Sequence, residues 1–245
     1  AIDDPHPRVR LEAVCALRKQ GDLPSVETFA RAFDQPTDRN LDFALRQSLR
    51  DLRPVWEGKT TFGNQPARLS RVVALTGSQA PLNGLLQAVT SDKLATAKRP
   101  AALRALAGAA RQPKHLSPVL GAILSEKTST NTRRDLLQTL LDTPATRNLT
   151  PPKERALLAK LHRHPELCSL SLRLAARWKQ PGAREIAREL LANTPADNLP
   201  ALRRNAATLA AFGKTGTNAL LAFAENTESS EAELAALEAV AETAP

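Results

Sequence analysis

The stretch Asp3-Asp4-Pro5-His6-Pro7-Arg8-Val9-Arg10-Leu11-Glu12-Ala13-Val14-Cys15-Ala16-Leu17-Arg18-Lys19-Gln20-Gly21-Asp22 decides how the rest of the chain is read. Val9, Ala13, Ala16 and Leu17 recur at helical spacing, and Leu11 and Val14 widen the stripe into a face that neighbours can cover from two sides. Asp3 or Asp4 can cap the start, and Pro5 and Pro7 suit the turn and the first helical positions. Lys19 and Gly21 supply a basic last turn and a left-handed stop. A second helix opens at Leu23-Pro24-Ser25 and carries Val26, Phe29, Ala30 and Phe33 at i, i+3, i+4 and i+7. The unit is therefore a helix pair joined by a tight turn.

The same grammar returns at intervals of about 30 to 40 residues, the range of solenoid repeats. Asp38 to Leu52 repeats the first helix, and Pro54, Val55 and Trp56 open a shorter partner. Further helices are expected at 68–76, 81–90, 99–110, 116–125, 132–142, 152–162, 166–178, 182–192, 199–212, 218–224 and 231–241, with joints at Ser117-Pro118, Thr150-Pro151 and Pro181-Gly182. The fold class predicted is all-α, an α-solenoid of antiparallel helix pairs rather than an irregular bundle around one core, because short helices at a quasi-regular period stack in one dimension. One array over 1–245 is expected, with about six to eight helix pairs and a candidate seam at 57–66, where Gly58, Gly63 and Asn64 make the most loop-like stretch. The abrupt start without Met reads as an excised piece of a longer protein.

Composition agrees with this class. Aromatics are 3%, Tyr and Met are absent, and the 18 prolines and 10 glycines punctuate many short helices. The 34 Lys and Arg against 25 Asp and Glu give a net charge of +9, which points to an acidic partner: nucleic acid, an anionic surface or an acidic protein. The excess is spread in pairs such as Arg8/Arg10, Arg133/Arg134 and Arg203/Arg204, and Arg8, Arg10, Arg203 and Arg204 are the candidate interaction surface. No apolar run is long enough to cross a bilayer.

The segment Asp4-Pro5-His6-Pro7-Arg8-Val9-Arg10-Leu11-Glu12-Ala13-Val14 through Ala16-Leu17 resembles the HEAT-repeat signature: Asp and Pro at the turn, a Val-Arg pair on the helix, then Ala and Leu facing inward. The continuation, Asn40-Leu41-Asp42-Phe43-Ala44-Leu45 and Leu49-Arg50-Asp51-Leu52-Arg53-Pro54-Val55-Trp56, is similar to the HEAT region of planctomycete and verrucomicrobial membrane-bound dehydrogenase-like proteins. There, the repeats follow a β-propeller and precede a c-type cytochrome domain. The detailed match covers the first quarter of the chain. The resemblance implies a spacer or docking surface between redox domains of an exported parent, in a periplasmic or cell-surface setting. It also implies haem c in a neighbouring domain only, since this sequence has no CxxCH.

Motifs of chemistry are missing. There is no GxxxxGK[ST], GxGxxG, GxSxG or HExxH, and Gly213-Lys214-Thr215-Gly216 reads as a helix stop and turn. No catalytic, cofactor-binding or metal-binding residue is assigned, so the chain is read as non-enzymatic. His162 and His164 read as a surface pair at a helix end, His6 and His115 as turn residues beside prolines, and Cys15 and Cys168 as buried small hydrophobes. The main expectation is a scaffold or protein-interaction module. The alternative is a nucleic-acid-binding protein resembling the HEAT-like alkylpurine DNA glycosylases. That reading requires Trp56 or Trp178 on the surface beside a carboxylate and arginines such as Arg173 and Arg177.

Overall fold

The computed structural model describes every residue except 92, 93, 95, 150–157, 159, 160, 162, 244 and 245. The described residues are all-helical, without a strand, and gather into two compact units, 1–110 and 111–245. The helices of the first are α1 Pro7–Gln20, α2 Leu23–Phe29, α3 Arg39–Asp51, α4 Arg53–Trp56, α5 Pro66–Thr76, α6 Gln79–Thr90 and α7 Arg99–Ala109. Those of the second are α8 Pro113–Leu124, α9 Thr130–Asp142, α10 Pro165–Arg177, α11 Ala183–Ala192, α12 Leu199–Ala210, α13 Lys214–Asn226 and α14 Ser230–Thr243. The helix expected at 152–162 and the joint at Thr150-Pro151 lie outside the described residues.

The punctuation explains the boundaries. Pro7, Pro24, Pro66, Pro113, Pro165 and Pro200 sit at the first or second helical position, where a missing N–H costs no intrahelical bond. At the start of α1 neither aspartate caps directly: His6 is the cap, its Nδ1 accepting from the Arg8 N–H, while Asp4 accepts from the His6 N–H at 2.8 Å. Gly21 ends α1 at φ 70° as expected, and Gly77 ends α5 in the same way at φ 66°.

In the first unit α1 packs on α2 and α3, α3 on α4 and α5, α5 on α6 and α7, and α6 on α7. Val14, Phe29, Leu41, Leu45, Leu49, Leu69, Leu82 and Leu106 are buried between them. The 57–66 stretch lies inside this unit and is pinned there. Trp56 is buried and donates its indole N–H to the Leu49 carbonyl at 2.7 Å, and Phe62 meets it edge-on with centroids 5.5 Å apart. In the second unit α8 packs on α9, α9 on α10, α10 on α11 and α12, and α12 on α13 and α14. The buried positions along this succession, such as Leu172, Leu191, Leu202, Leu209 and Ala235, are mostly small or aliphatic, which suits closely packed helices.

Three local expectations are corrected. Ser117-Pro118 is no joint: α8 runs through Pro118, held by the buried face of Leu116, Val119, Leu120 and Ile123 at the expense of one helical hydrogen bond. Gly213-Lys214-Thr215-Gly216 is no simple turn either. Gly213 is the N-cap of α13 at φ 64°, ψ −144°, and Gly216 is inside the helix, where a Cβ would lie 2.0 Å from the Leu209 carbonyl oxygen of α12. The face of α1 is covered from one side: Arg10 and Val14 are buried, while Val9, Cys15 and Ala16 are exposed.

Candidate functional site

The four arginines expected to form an interaction surface divide by role. Arg8 and Arg204 are exposed, with no side-chain partner among the described residues. Arg203 is exposed but tied through its Nε and Nη2 to the two carboxylate oxygens of Glu238 of α14, at 2.7 and 2.9 Å. Arg10 departs from the expectation. It is 1% exposed, and its guanidinium donates to the carbonyls of Asp4 at 2.7 Å and Pro5 at 3.1 Å, to Gln35 at 2.8 Å and to the Pro36 carbonyl. It fastens the start of α1 to the connection that leads into α3, so its charge is an interior fixture.

Arg10 is one of three. Buried Arg133 donates to the Ile123 carbonyl in the last turn of α8 at 2.6 Å. Half-buried Arg177 donates to the carbonyls of Leu140 at 2.9 Å and Thr143 at 3.4 Å, and to that of Leu141, at the end of α9. In Arg133 and Arg177 the guanidinium supplies donors to carbonyls that a helix end leaves without partners, and in Arg10 to carbonyls of the turn before α1 and of the connection before α3.

Two cavities are lined by cations. In the first unit Arg46 and Arg50 of α3 and Arg53 of α4 face Leu75 and Thr76 of α5 across about 590 Å³. Arg53 is held by Glu57 at 2.7 and 2.8 Å, and Glu57 also accepts from the Ser78 hydroxyl at 2.8 Å. Those two partners, Arg53 first, hold the Glu57 carboxyl down at about 2.

The second cavity, about 610 Å³, belongs wholly to the second unit. Arg147 and Asn148 come from the 3₁₀ turn Pro144–Asn148, Arg173 and Arg177 from adjacent turns of α10, and Lys179 from just beyond the end of that helix, with Trp178 behind them. No carboxylate lines it among the described residues. Burial lowers the pKa of Arg177, and the neighbouring charges of Arg147 and Arg173 lower it further, with Asp142 opposing. The side chains of Arg147, Arg173 and Lys179 have no hydrogen-bond or ion-pair partner among the described residues.

Lys179 is held in an unusual backbone conformation. Its own N–H donates to the Ala176 carbonyl at 3.0 Å and the next N–H, of Gln180, reaches back to Ala175 at 2.9 Å, the paired bonds of a Schellman helix stop. Lys179 thus occupies the left-handed position of that stop, at φ 51°, where α1 and α5 carry Gly21 and Gly77.

The structure therefore brings Arg173, Arg177 and Trp178 to one cavity, but not as a lesion-reading site would need them. Trp178 is 5% exposed and donates to the Thr146 carbonyl at 3.0 Å, and Trp56 is 1% exposed. Both indoles are core. Spacing could have revealed the cavity in part: Arg173 and Arg177 stand four apart on α10, but nothing local announces Arg147 or the turn at Lys179.

The remaining residues fall elsewhere. His115 is no turn residue. It is fully buried in α8, its Nδ1 accepts from the N–H groups of Arg111 and Gln112 at 3.2 Å, and its Nε2 has no partner. Burial, then the charges of Lys114 and Arg111, lower its pKa. His164 occupies the N-cap position of α10, at the positive end of a helix dipole and without a side-chain capping bond, and its expected companion His162 lies outside the described residues. Cys15 is exposed, against the expectation of burial. Cys168 is buried, and burial pushes its thiol up. Among the described residues no cluster of His, Cys, Asp and Glu could hold a metal ion, and no helix is long and apolar enough to cross a membrane. Comparison with protein-family models, curated proteins and solved structures finds no match.

Proposed function

We propose that the chain is a non-enzymatic scaffold, an α-solenoid of HEAT-like antiparallel helix pairs that presents basic surface to an acidic protein partner or to neighbouring domains of a longer parent. The observation that carries this reading is the order of packing: the main contacts of each α-helix are with helices one or two places away in the chain. That is the pattern of a one-dimensional stack rather than of elements gathered around one centre. Exposed, unpartnered Arg8, Arg46, Arg50 and Arg204 support an acidic partner. The spacer role between redox domains, with a periplasmic or cell-surface setting, belongs to this proposal through the resemblance of residues 4–17 and 40–56. So does the location of any haem in a neighbouring domain.

A nucleic-acid-binding role is the competing reading, and burial of Trp56 and Trp178 counts against it by removing the surfaces on which bases would stack. The test is binding to duplex DNA across a salt series, beside an unrelated protein of equal net charge. The scaffold reading expects affinity and salt slope no greater than the control's; tighter binding with a steeper slope would replace it with the nucleic-acid reading.

A further inference from the structure

We propose that the cavity between α10 and the turn Pro144–Asn148 is a binding site for a small polyphosphate anion, with Arg147, Arg173 and Lys179 as its donors and Arg177 as a fixed positive floor. This goes beyond the scaffold reading and does not depend on it.

Four observations converge. The volume, about 610 Å³, lies in the range of small-molecule sites and exceeds what one phosphate would fill. Four cations line it with no carboxylate among the described residues, whereas several surface arginines elsewhere have an acidic partner, as in Arg18–Asp51, Arg31–Asp3, Arg134–Glu166 and Arg203–Glu238. Like charges drawn to one hollow repel unless a counter-charge sits among them. Arg177 has its terminal nitrogens engaged by carbonyls, so it gives the site charge and rigidity, whereas Arg147, Arg173 and Lys179 keep their donors unengaged. Finally, Lys179 stands where glycine is the unstrained choice.

Charge decides the ligand class. One carboxylate would neutralise a single cation of the four, while an anion with two or more phosphoryl groups matches the set. Guanidinium forks and a lysine point charge both suit phosphoryl oxygens. The competing account is that these cations merely complement the negative C-terminal end of α10. The two accounts differ at Lys179. A helix-end role makes its removal destabilising; a binding role leaves stability equal or higher while binding is lost.

The experiment is calorimetric titration of the full chain with inorganic tripolyphosphate at fixed ionic strength, with thermal unfolding of each variant alongside. The wild type is expected to bind saturably at one site and more tightly than inorganic sulfate. Arg173→Gln and Lys179→Asn are each expected to weaken binding about tenfold or more. Lys179→Gly should do the same while melting no lower than the wild type. Arg39→Gln, which removes one exposed charge of α3, should change affinity less than about twofold. Absence of saturable binding, equality with sulfate, or an equal loss in Arg39→Gln would overturn the proposal, as would a lower melting temperature for Lys179→Gly. Tighter binding of a short DNA duplex, lost in the same variants, would also overturn it and assign the cavity to nucleic acid.

Discussion

Arg8 and Arg10 look alike in the sequence and behave as opposites in the structure. Two positions on a helix stand about 200° apart, so the two cannot share a face, and Arg10 lies on the stripe of Val14 and Leu17 that turns inward. The signal was legible: a cation in register with the apolar stripe is an interior cation. Lys179 was not, because its left-handed φ comes from the Schellman bonds rather than from a residue type that favours it. Lys179→Gly should raise unfolding free energy by about 1 kcal/mol in a denaturant titration. His115 gives a pH signature. Its folded pKa lies below the ordinary 6.5, so the unfolded chain binds the extra proton as pH falls through about 6.5, and stability declines from there downward. His115→Asn, which keeps an acceptor for the Gln112 N–H, should flatten that decline in unfolding curves recorded between about pH 7 and 5. Glu57 works lower on the scale. Its contribution is complete above the ordinary carboxylate pKa and disappears as pH falls toward about 2, so Glu57→Gln should blunt the acid loss in that window.

At the scale of elements, most helices were readable because apolar periodicity and Pro or Gly punctuation agree at their ends; α9, α10, α11 and α12 fall within a few residues of expectation. The errors arose where tertiary packing outvoted local signals. Pro118 does not stop α8 because its neighbours are core residues, and Gly216 continues α13 because the crossing with α12 leaves no room for a side chain. Gly216→Ala should therefore destabilise by about 2–3 kcal/mol or more, although alanine is the better helix former. A rise in chemical stability for this variant would show that the two helices can part without cost. Arg177 links α10 to the end of α9, and Arg177→Ala would leave the carbonyls of Leu140 and Leu141 without those donors. A loss of about 2–4 kcal/mol is expected, and Arg177→Lys, lacking the fork, should recover little of it.

At the scale of the molecule, the sequence conveyed the helical class and the succession of short elements, while the division at 110/111 carries no compositional mark. The succession makes a prediction for the first unit. Leu106 is buried in α7, the helix that packs on α5 and α6. Leu106→Ala, costing about 2–5 kcal/mol, should speed amide exchange most in α5 to α7 and least in α1; uniform loosening of α1 to α7 would instead mark one closed core. The interior arginines carry the remaining consequence. A pI near 10.1 is ordinarily taken as a property of the outside of a protein, yet Arg10, Arg133 and Arg177 hold part of this one as joinery. In a saturation-mutagenesis map these three positions should score with buried leucines, intolerant even of lysine. Neutralising the outer surface would leave a molecule still basic for reasons of architecture.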